Sequence, residues 1–309
     1  ASEFGFQSFP SVKTLETVTD DPKELNPFSY VMEKHQRNYG GNGKIAKYMQ
    51  AAYRYPENFS DFVYASQLLQ ADGIRYGVEH YRRNRGRCMG AIYWQLNDCW
   101  PVISWSSIDY YGRWKALHYY AKRFFAPVML SCEEQSWMTV EADMNRQHFE
   151  FEKSIRLNVT NETLDAHRVL VKWAVRKTDA TILREEEQWL EVPVLSAVWM
   201  DKVELPQIDC FNEYVSYEAW ENDQIISQGT VIFSYPKYFH YLNPGLAVRV
   251  DGDEIVVRAE AYAKSVEIRN ENDDLILEDN YFDMNAGEYR VKILDGKPDG
   301  LKVRSVYDI

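Results

Sequence analysis

The sequence predicts a multidomain chain, with an α/β portion that follows the repeat logic of a barrel and then two immunoglobulin-like all-β sandwiches. Three observations lead there. Helical periodicity alternates with short apolar strands up to Pro127; beyond it, alternating strand-like segments recur at sandwich-like spacing with turn signals between them. The 309 residues are enough for two or three domains of ordinary size.

In the first part, Ser60 is a candidate cap for a helix over about 60–83, with Asp61 complementing its positive end. Phe62, Ala65, Leu69 and Tyr76 fall on one face, and Arg82, Arg83 and Arg85 suit the negative end before Gly86. The run Met89-Gly90-Ala91-Ile92-Tyr93-Trp94 is almost unbroken apolar sequence, which predicts a strand covered on both faces. A second helix is expected at about 113–125, with Trp114 as helix-packing core, and shorter ones at 27–38 and 44–53. Two strands cannot close a barrel. Either a small α/β domain stands alone, or upstream strands belong to it.

After Pro127, strands are expected at 154–160, 168–176, 214–220, 228–234, 246–250, 255–261, 265–269 and 288–294. Asn161-Glu162, Asp251-Gly252-Asp253 and Ala286-Gly287 supply turns. The Pro236–Pro244 stretch reads as a junction, so the domains are expected at 1–126, 127–237 and 238–309.

Composition narrows the function. Hydrophobic residues make up 45%, which gives a sizeable core. Net charge is −12, from 47 acidic and 35 basic residues without a long basic run, so a nucleic-acid partner is not expected. No apolar stretch is long enough to span a bilayer, and the first residues do not read as a signal peptide. The compartment stays open. Cys88, Cys99, Cys132 and Cys210 form neither a disulfide framework nor a zinc motif and read as reduced and mostly buried. The six histidines include no metal-binding pair on a helix. Asn58, Asn158 and Asn161 begin glycosylation triplets. Aromatics reach 15%, a level that suits sandwich cores and sugar stacking alike.

Two segments carry chemistry. Ser2-Glu3-Phe4-Gly5-Phe6-Gln7-Ser8-Phe9-Pro10 sets a carboxylate at a strand end, just before a glycine where the backbone can turn. Tyr93-Trp94-Gln95-Leu96-Asn97-Asp98-Cys99-Trp100-Pro101 opens a loop, running on to Gly112, that is dense in indoles, amides and carboxylates. That mixture stacks on the C–H faces of a sugar and binds its hydroxyls.

Together these segments resemble the β-mannosidases of glycoside hydrolase family 2. Trp94 to Trp114, running into Lys115-Ala116-Leu117-His118-Tyr119, is similar to the family's eighth barrel strand and following helix. Asp279-Asn280-Tyr281-Phe282-Asp283 with Gly287-Glu288 is similar to a segment of its last sandwich. The resemblance implies that residues 1–126 are an incomplete TIM barrel remnant. It implies Glu3 as the nucleophile of a retaining double displacement on terminal β-D-mannose, and Trp94 as a wall of the sugar subsite. Asn97, Asp98 and Trp100 are implied nearby substrate-binding residues. It implies no metal or organic cofactor, a β-mannoside as partner, and leaves self-association open. The family's acid/base Glu precedes the nucleophile, and with the chain beginning at Ala1-Ser2 this residue is expected to lie outside it. A β-galactosidase, β-glucuronidase or exo-glucosaminidase is the nearest rival within the family. A non-catalytic carbohydrate-binding or scaffold piece is the rival of another class, with Trp189, Trp199 and Trp220 as its strip, although their strand contexts favour packing.

Overall fold

A computed structural model describes residues 3–140 and 150–309, which leaves Ser2 of the first motif outside the described residues. The chain divides into two compact units. One comprises the chain up to Gly77, Ala91–Lys122 and Asn243–Ile309; the other comprises Val78–Gly90 and Arg123–Leu242.

The first unit holds the helices α1 (Val12–Leu15), α2 (Tyr30–Lys34), α3 (Gly41–Ala52), most of α4 (Phe59–Arg83) and most of α5 (Ala116–Phe124). α4 forms where the periodicity predicts it, but its cap is Asn58. The Asn58 side-chain oxygen accepts from the Asp61 amide at 2.9 Å, while Ser60 is turned to Arg269 and Arg304. Burial extends around much of the helix, through Phe62, Val63, Tyr64, Ala65 and Leu68, because chain packs on more than one side of it. Phe9 meets Phe62 edge-on at 5.2 Å. The α5 helix begins at Ala116 and buries Leu117, Ala121 and Phe124. Trp114, just before it, is half-buried against His118 and Tyr119.

The expected two-sided strand over Met89–Trp94 is not what the backbone forms. Tyr93 makes an isolated parallel bridge to Phe4, and Met89 and Ile92 are 68% and 63% exposed. An apolar run becomes a covered strand only when neighbours flank it. Among the described residues the bridging partner is the Phe4 segment.

The second unit is a two-sheet sandwich of β1 (Val128–Gln135), β2 (Ser154–Asn161), β3 (His167–Lys177), β4 (Ile182–Val192), β5 (Ser196–Trp199), β6 (Val203–Glu204), β7 (Glu213–Glu221) and β8 (Gln224–Ile232). One sheet orders β1-β2-β5, with β6 also on β2; the other orders β4-β3-β7-β8, and the pairings are antiparallel. Leu130, Leu157 and Val159 from the first sheet meet Val169, Val171, Trp173 and Val215 from the second. Each such fully buried side chain contributes about 1.5–3 kcal/mol. Arg82 and Arg83, expected to suit the negative end of the helix, are buried: Arg82 donates to the carbonyls of Phe124 and Ala126, and Arg83 to that of Cys132.

Three features read from the sequence take a definite place in the structure. Only Cys132 of the four cysteines is buried; Cys88 and Cys210 are intermediate and Cys99 is exposed. Asn158 and Asn161 lie fully buried within β2, where a glycan has no room, and of the three triplets only that of Asn58 is exposed. Trp189, read as packing, is 53% exposed.

The first unit also carries β9 (Ala247–Asp251), β10 (Glu254–Ala259), β11 (Ala263–Arg269), β12 (Ile276–Leu277), β13 (Phe282–Met284), β14 (Gly287–Asp295) and β15 (Lys302–Arg304). These form the sheets β12-β14-β10-β9 and β13-β11-β15, with Ile255, Val257, Val266, Phe282 and Val291 in the core. Gly252 takes φ +67° in the β9–β10 turn, a conformation that suits glycine. The Asp279–Asp283 segment joins strands: Asn280 exchanges hydrogen bonds with the Ile268 backbone at 2.8 Å, and Asp283 accepts from the Ser265 amide at 2.8 Å.

Candidate functional site

The segment carrying Glu3 is held by residues 92–94 and by α4. Phe4 donates its amide to Ile92 and accepts from the Trp94 amide at 2.8 Å, so Glu3 and Trp94 lie on adjacent parallel segments. From α4, Ser66, Gln67 and Gln70 form a buried polar ladder. The Phe9 amide donates to Ser66 at 3.1 Å, Gln67 donates to the Phe9 carbonyl, and Gln70 donates to the carbonyls of Phe6 and Trp105. Polar groups this deep need partners, and here the partners are the backbone of the segment next to Glu3. Gly77 completes the fit: a Cβ there would lie 2.7 Å from the Phe4 ring.

Gly5 is needed for a different reason. A Cβ at this position would stand 2.5 Å from the Trp94 carbonyl oxygen and 3.0 Å from the Trp105 ring. The two segments therefore approach at backbone distance immediately beside Glu3.

The loop from Trp94 onward folds back on itself through Gln95 N–H to Trp105 O at 3.1 Å and Ile108 N–H to Leu96 O at 2.8 Å. The peptide between Trp94 and Gln95 is cis. Asp98 accepts at both oxygens, from the Gln95 side-chain Nε2 at 3.0 Å and the Ser104 hydroxyl at 2.9 Å. Asn97 is exposed and bridges Ile108 through its backbone. Trp94 is 48% exposed, and Glu3 is exposed on the adjacent segment. Trp100 is engaged in packing: its ring stacks on His35 at 4.9 Å and carries the Arg37 guanidinium at 4.4 Å. Glu3, Trp94 and Asp98 thus belong to two interlocked segments, whereas Trp100 is tied to the residues that follow α2.

Asp109 and Lys115 lie behind this loop, in the core. Asp109 accepts from the amides of Tyr111 and Arg113 and from the Thr14 hydroxyl. Lys115 is fully buried, and burial lowers its ammonium pKa to about 7 against the opposing pull of Asp98 and Asp109. Burial likewise lowers His118, whose Nδ1 meets the Ser107 hydroxyl at 3.1 Å. Lys115 and Gln70 escaped the sequence reading. Their one signal was a polar residue inside an otherwise apolar helical face or start. Among the described residues no cluster of His, Cys, Asp and Glu has the geometry to hold a metal, and no helix is long and apolar enough to cross a membrane. A separate cavity of about 50 Å³, lined by Arg113, Asp273 and Glu267 among others, includes none of the candidate site residues.

Comparison with known proteins gives consistent relatives. A family model described as a Mannosidase Ig/CBM-like domain matches residues 153–238, and one described as an Ig-fold domain matches 241–309. The two sandwiches are accordingly immunoglobulin-like. β-Mannosidase B of Thermothelomyces thermophilus is 29% identical over 99% of this chain and 38% of its own length. β-Mannosidase of Capra hircus is 39% identical over 41% of this chain and 16% of its own length. A crystal structure of β-D-mannosidase from Dictyoglomus thermophilum superposes with a TM-score of 0.83 at 25% identity, covering 98% of this chain and 37% of that one. The exo-chitosanase of Amycolatopsis orientalis shares the fold, with a TM-score of 0.65 at 15% identity over 97% of this chain and 41% of that one. The chain spans little more than a third of the length of the relatives it matches from end to end. Its sandwiches, its whole-length relatives and its superposition agree: over nearly all its length the chain is similar to part of the β-mannosidases of glycoside hydrolase family 2.

Proposed function

We propose that this chain supplies the nucleophile and part of the sugar pocket for hydrolysis of terminal non-reducing β-D-mannose residues by a longer protein. The observation that carries the reading is the parallel pairing of Phe4 with Tyr93. In an α/β barrel, active-site groups stand toward the carboxyl ends of neighbouring parallel strands, and Glu3 and Trp94 each adjoin a member of such a pair, Glu3 just before Phe4 and Trp94 just after Tyr93. Residues 1–126 are on this reading the end of a TIM barrel, followed by sandwiches at 127–237 and 238–309.

Glu3 attacks the anomeric carbon while an acid from elsewhere in the protein protonates the leaving oxygen; water then releases the mannosyl group with retention. The two carboxyl groups would stand about 5–5.5 Å apart. Trp94 stacks on the sugar's C–H face, while Asn97 and Asp98 meet its hydroxyls, and Gln95 and Ser104 keep the Asp98 carboxylate oriented. Trp100 acts from behind as packing. The chemistry calls for no metal or organic cofactor. General acid catalysis contributes about 10²–10⁴ in rate, so the 309 residues alone do not turn over an aryl β-mannoside at the rate of the longer protein.

The test is covalent trapping in the full-length protein with a 2-deoxy-2-fluoro-β-mannoside, followed by peptide mapping. The label belongs on Glu3. A label on any other carboxylate removes Glu3 from this role.

A further inference from the structure

The outer face of the sheet β4-β3-β7-β8 presents an apolar row that the core does not use. Strand alternation sends Val169, Val171, Trp173 and Val175 inward from β3, so Leu170 points to the opposite face. The register sets Leu170 opposite Trp189 on β4 and opposite Trp220 on β7, and Trp220 opposite Ile225 on β8. Paired residues share a face, which makes Trp189, Leu170, Trp220 and Ile225 one continuous row across four strands. Trp189 and Ile225 are 53% and 42% exposed, and Leu170 and Trp220 are half-buried. Trp199, grouped with these indoles in the sequence, lies in the other sheet.

The row has polar borders of two cations and three carboxylates. Arg168 lies over the Trp189 ring at 4.6 Å and pairs with Glu191 at 3.4 Å. Lys172 lies over Trp220 at 5.3 Å and pairs with Glu187 at 3.5 Å. Glu218 accepts from the Trp220 indole at 2.8 Å. An anionic polymer finds no uncompensated cation patch here. A neutral polyhydroxylated chain finds apolar rings under its C–H faces and donors and acceptors of both signs beside its hydroxyls.

We infer that this face binds a neutral β-1,4-linked hexose polysaccharide, with Trp189 and Trp220 stacking on alternate sugar rings. The two indoles are two strand spacings apart, about 10 Å. Two successive residues of an extended β-1,4-linked chain cover about that length, so the sugars over the indoles bracket one over Leu170. Coiled α-linked chains do not keep that straight repeat. Arg168 and Lys172 sit at the exposed ends of flexible stems and move off the rings to donate to sugar hydroxyls. The inference stands apart from hydrolysis, since none of these residues belongs to the candidate active site.

Affinity electrophoresis of the 309-residue chain tests it, in native gels containing galactomannan, with its β-1,4-linked backbone, or dextran, which is α-linked. Galactomannan is expected to retard the chain and dextran to leave it unretarded. Trp189→Ala and Trp220→Ala, each checked for folding by circular dichroism, are expected to weaken retardation about tenfold. Trp94→Ala is expected to retain it. Equal mobility in all gels overturns the inference, as does retardation lost in Trp94→Ala but kept in the two sheet variants. A concentration-dependent dimer that Trp189→Ala dissolves overturns it in favour of a second copy of the chain.

Discussion

Lys115 donates from its ammonium to the Ser8 carbonyl at 3.2 Å and lies 3.4 Å from that of Ser104, so one buried charge ties the Glu3 segment to the loop carrying Asp98. Ser8 itself donates its amide to Ser104 at 3.0 Å, and Ser104 holds Asp98 through its hydroxyl. The candidate nucleophile and a candidate hydroxyl-binding carboxylate therefore share one support.

That support titrates. In the unfolded chain a lysine holds its proton to about pH 10.4, whereas burial lowers folded Lys115 to about 7. Below pH 7 both states are protonated and the group adds no pH dependence. Between about 7 and 10.4 the unfolded chain binds a proton that the folded chain lacks, so stability rises with pH. Lys115→Met is expected to lose this rise. Urea midpoints at pH 6.5, 8 and 9.5 should show the native sequence gaining on the variant at each step; parallel curves would refute the assignment.

Gly5 and Gly77 make graded predictions. Gly5→Ala puts a methyl group 2.5 Å from the Trp94 carbonyl oxygen, and that backbone is held by the Trp94–Phe4 hydrogen bond. Gly77→Ala meets the Phe4 ring at 2.7 Å, a side chain that can turn. Overpacking costs roughly 1–3 kcal/mol, and Gly5→Ala is expected to be the costlier. Thermal melts that rank them in reverse would mean the segments beside Glu3 are looser than their geometry.

The sequence made some of this visible and hid the rest for physical reasons. α4 was readable because its apolar period is long, and β3 and β7 because their inward valines and aromatics alternate cleanly. β4 was not marked out: Arg184-Glu185-Glu186-Glu187-Gln188 carries charge on both faces, and its pairing is set by β3. Met89–Trp94 misled because an apolar run records what a strand needs, not which neighbours reach it. Glu3 and Trp94 stood out through their surrounding motifs. Lys115 and Gln70 matter through contacts with Ser8, 107 and 62 residues away, which local sequence does not encode.

Trp94 is the sharpest test of the pocket. Its indole is half exposed at the end of the segment paired with Phe4, so truncation removes stacking surface without opening a core. In the full-length protein, Trp94→Ala is expected to lower kcat/KM for an aryl β-mannoside more than tenfold, about 1.4 kcal/mol of transition-state binding. Unchanged kinetics in a folded variant would make the residue ordinary surface.

Arg304 organises a buried charge cluster on which the first unit's helices and C-terminal sandwich both draw. It pairs with Glu267, donates to Asp61 at 2.9 Å and Ser60 at 3.1 Å, and lies 4.3 Å over the Tyr64 ring; Tyr281 donates to Glu267 at 2.8 Å from the other side. Both members of the pair are largely shielded, with side chains 13% and 9% exposed. Removing one partner of such a pair leaves an uncompensated charge and costs about 3–5 kcal/mol. Arg304→Met is therefore expected to destabilise the chain by about that amount, and Arg304→Lys by less, since a lysine keeps the charge but loses the planar fork. Adding Glu267→Gln to Arg304→Met should recover part of the loss, because the stranded carboxylate is gone. A double variant no more stable than Arg304→Met would show that the arginine's worth lies in its packing on Tyr64 and its bonds to α4, and not in the ion pair.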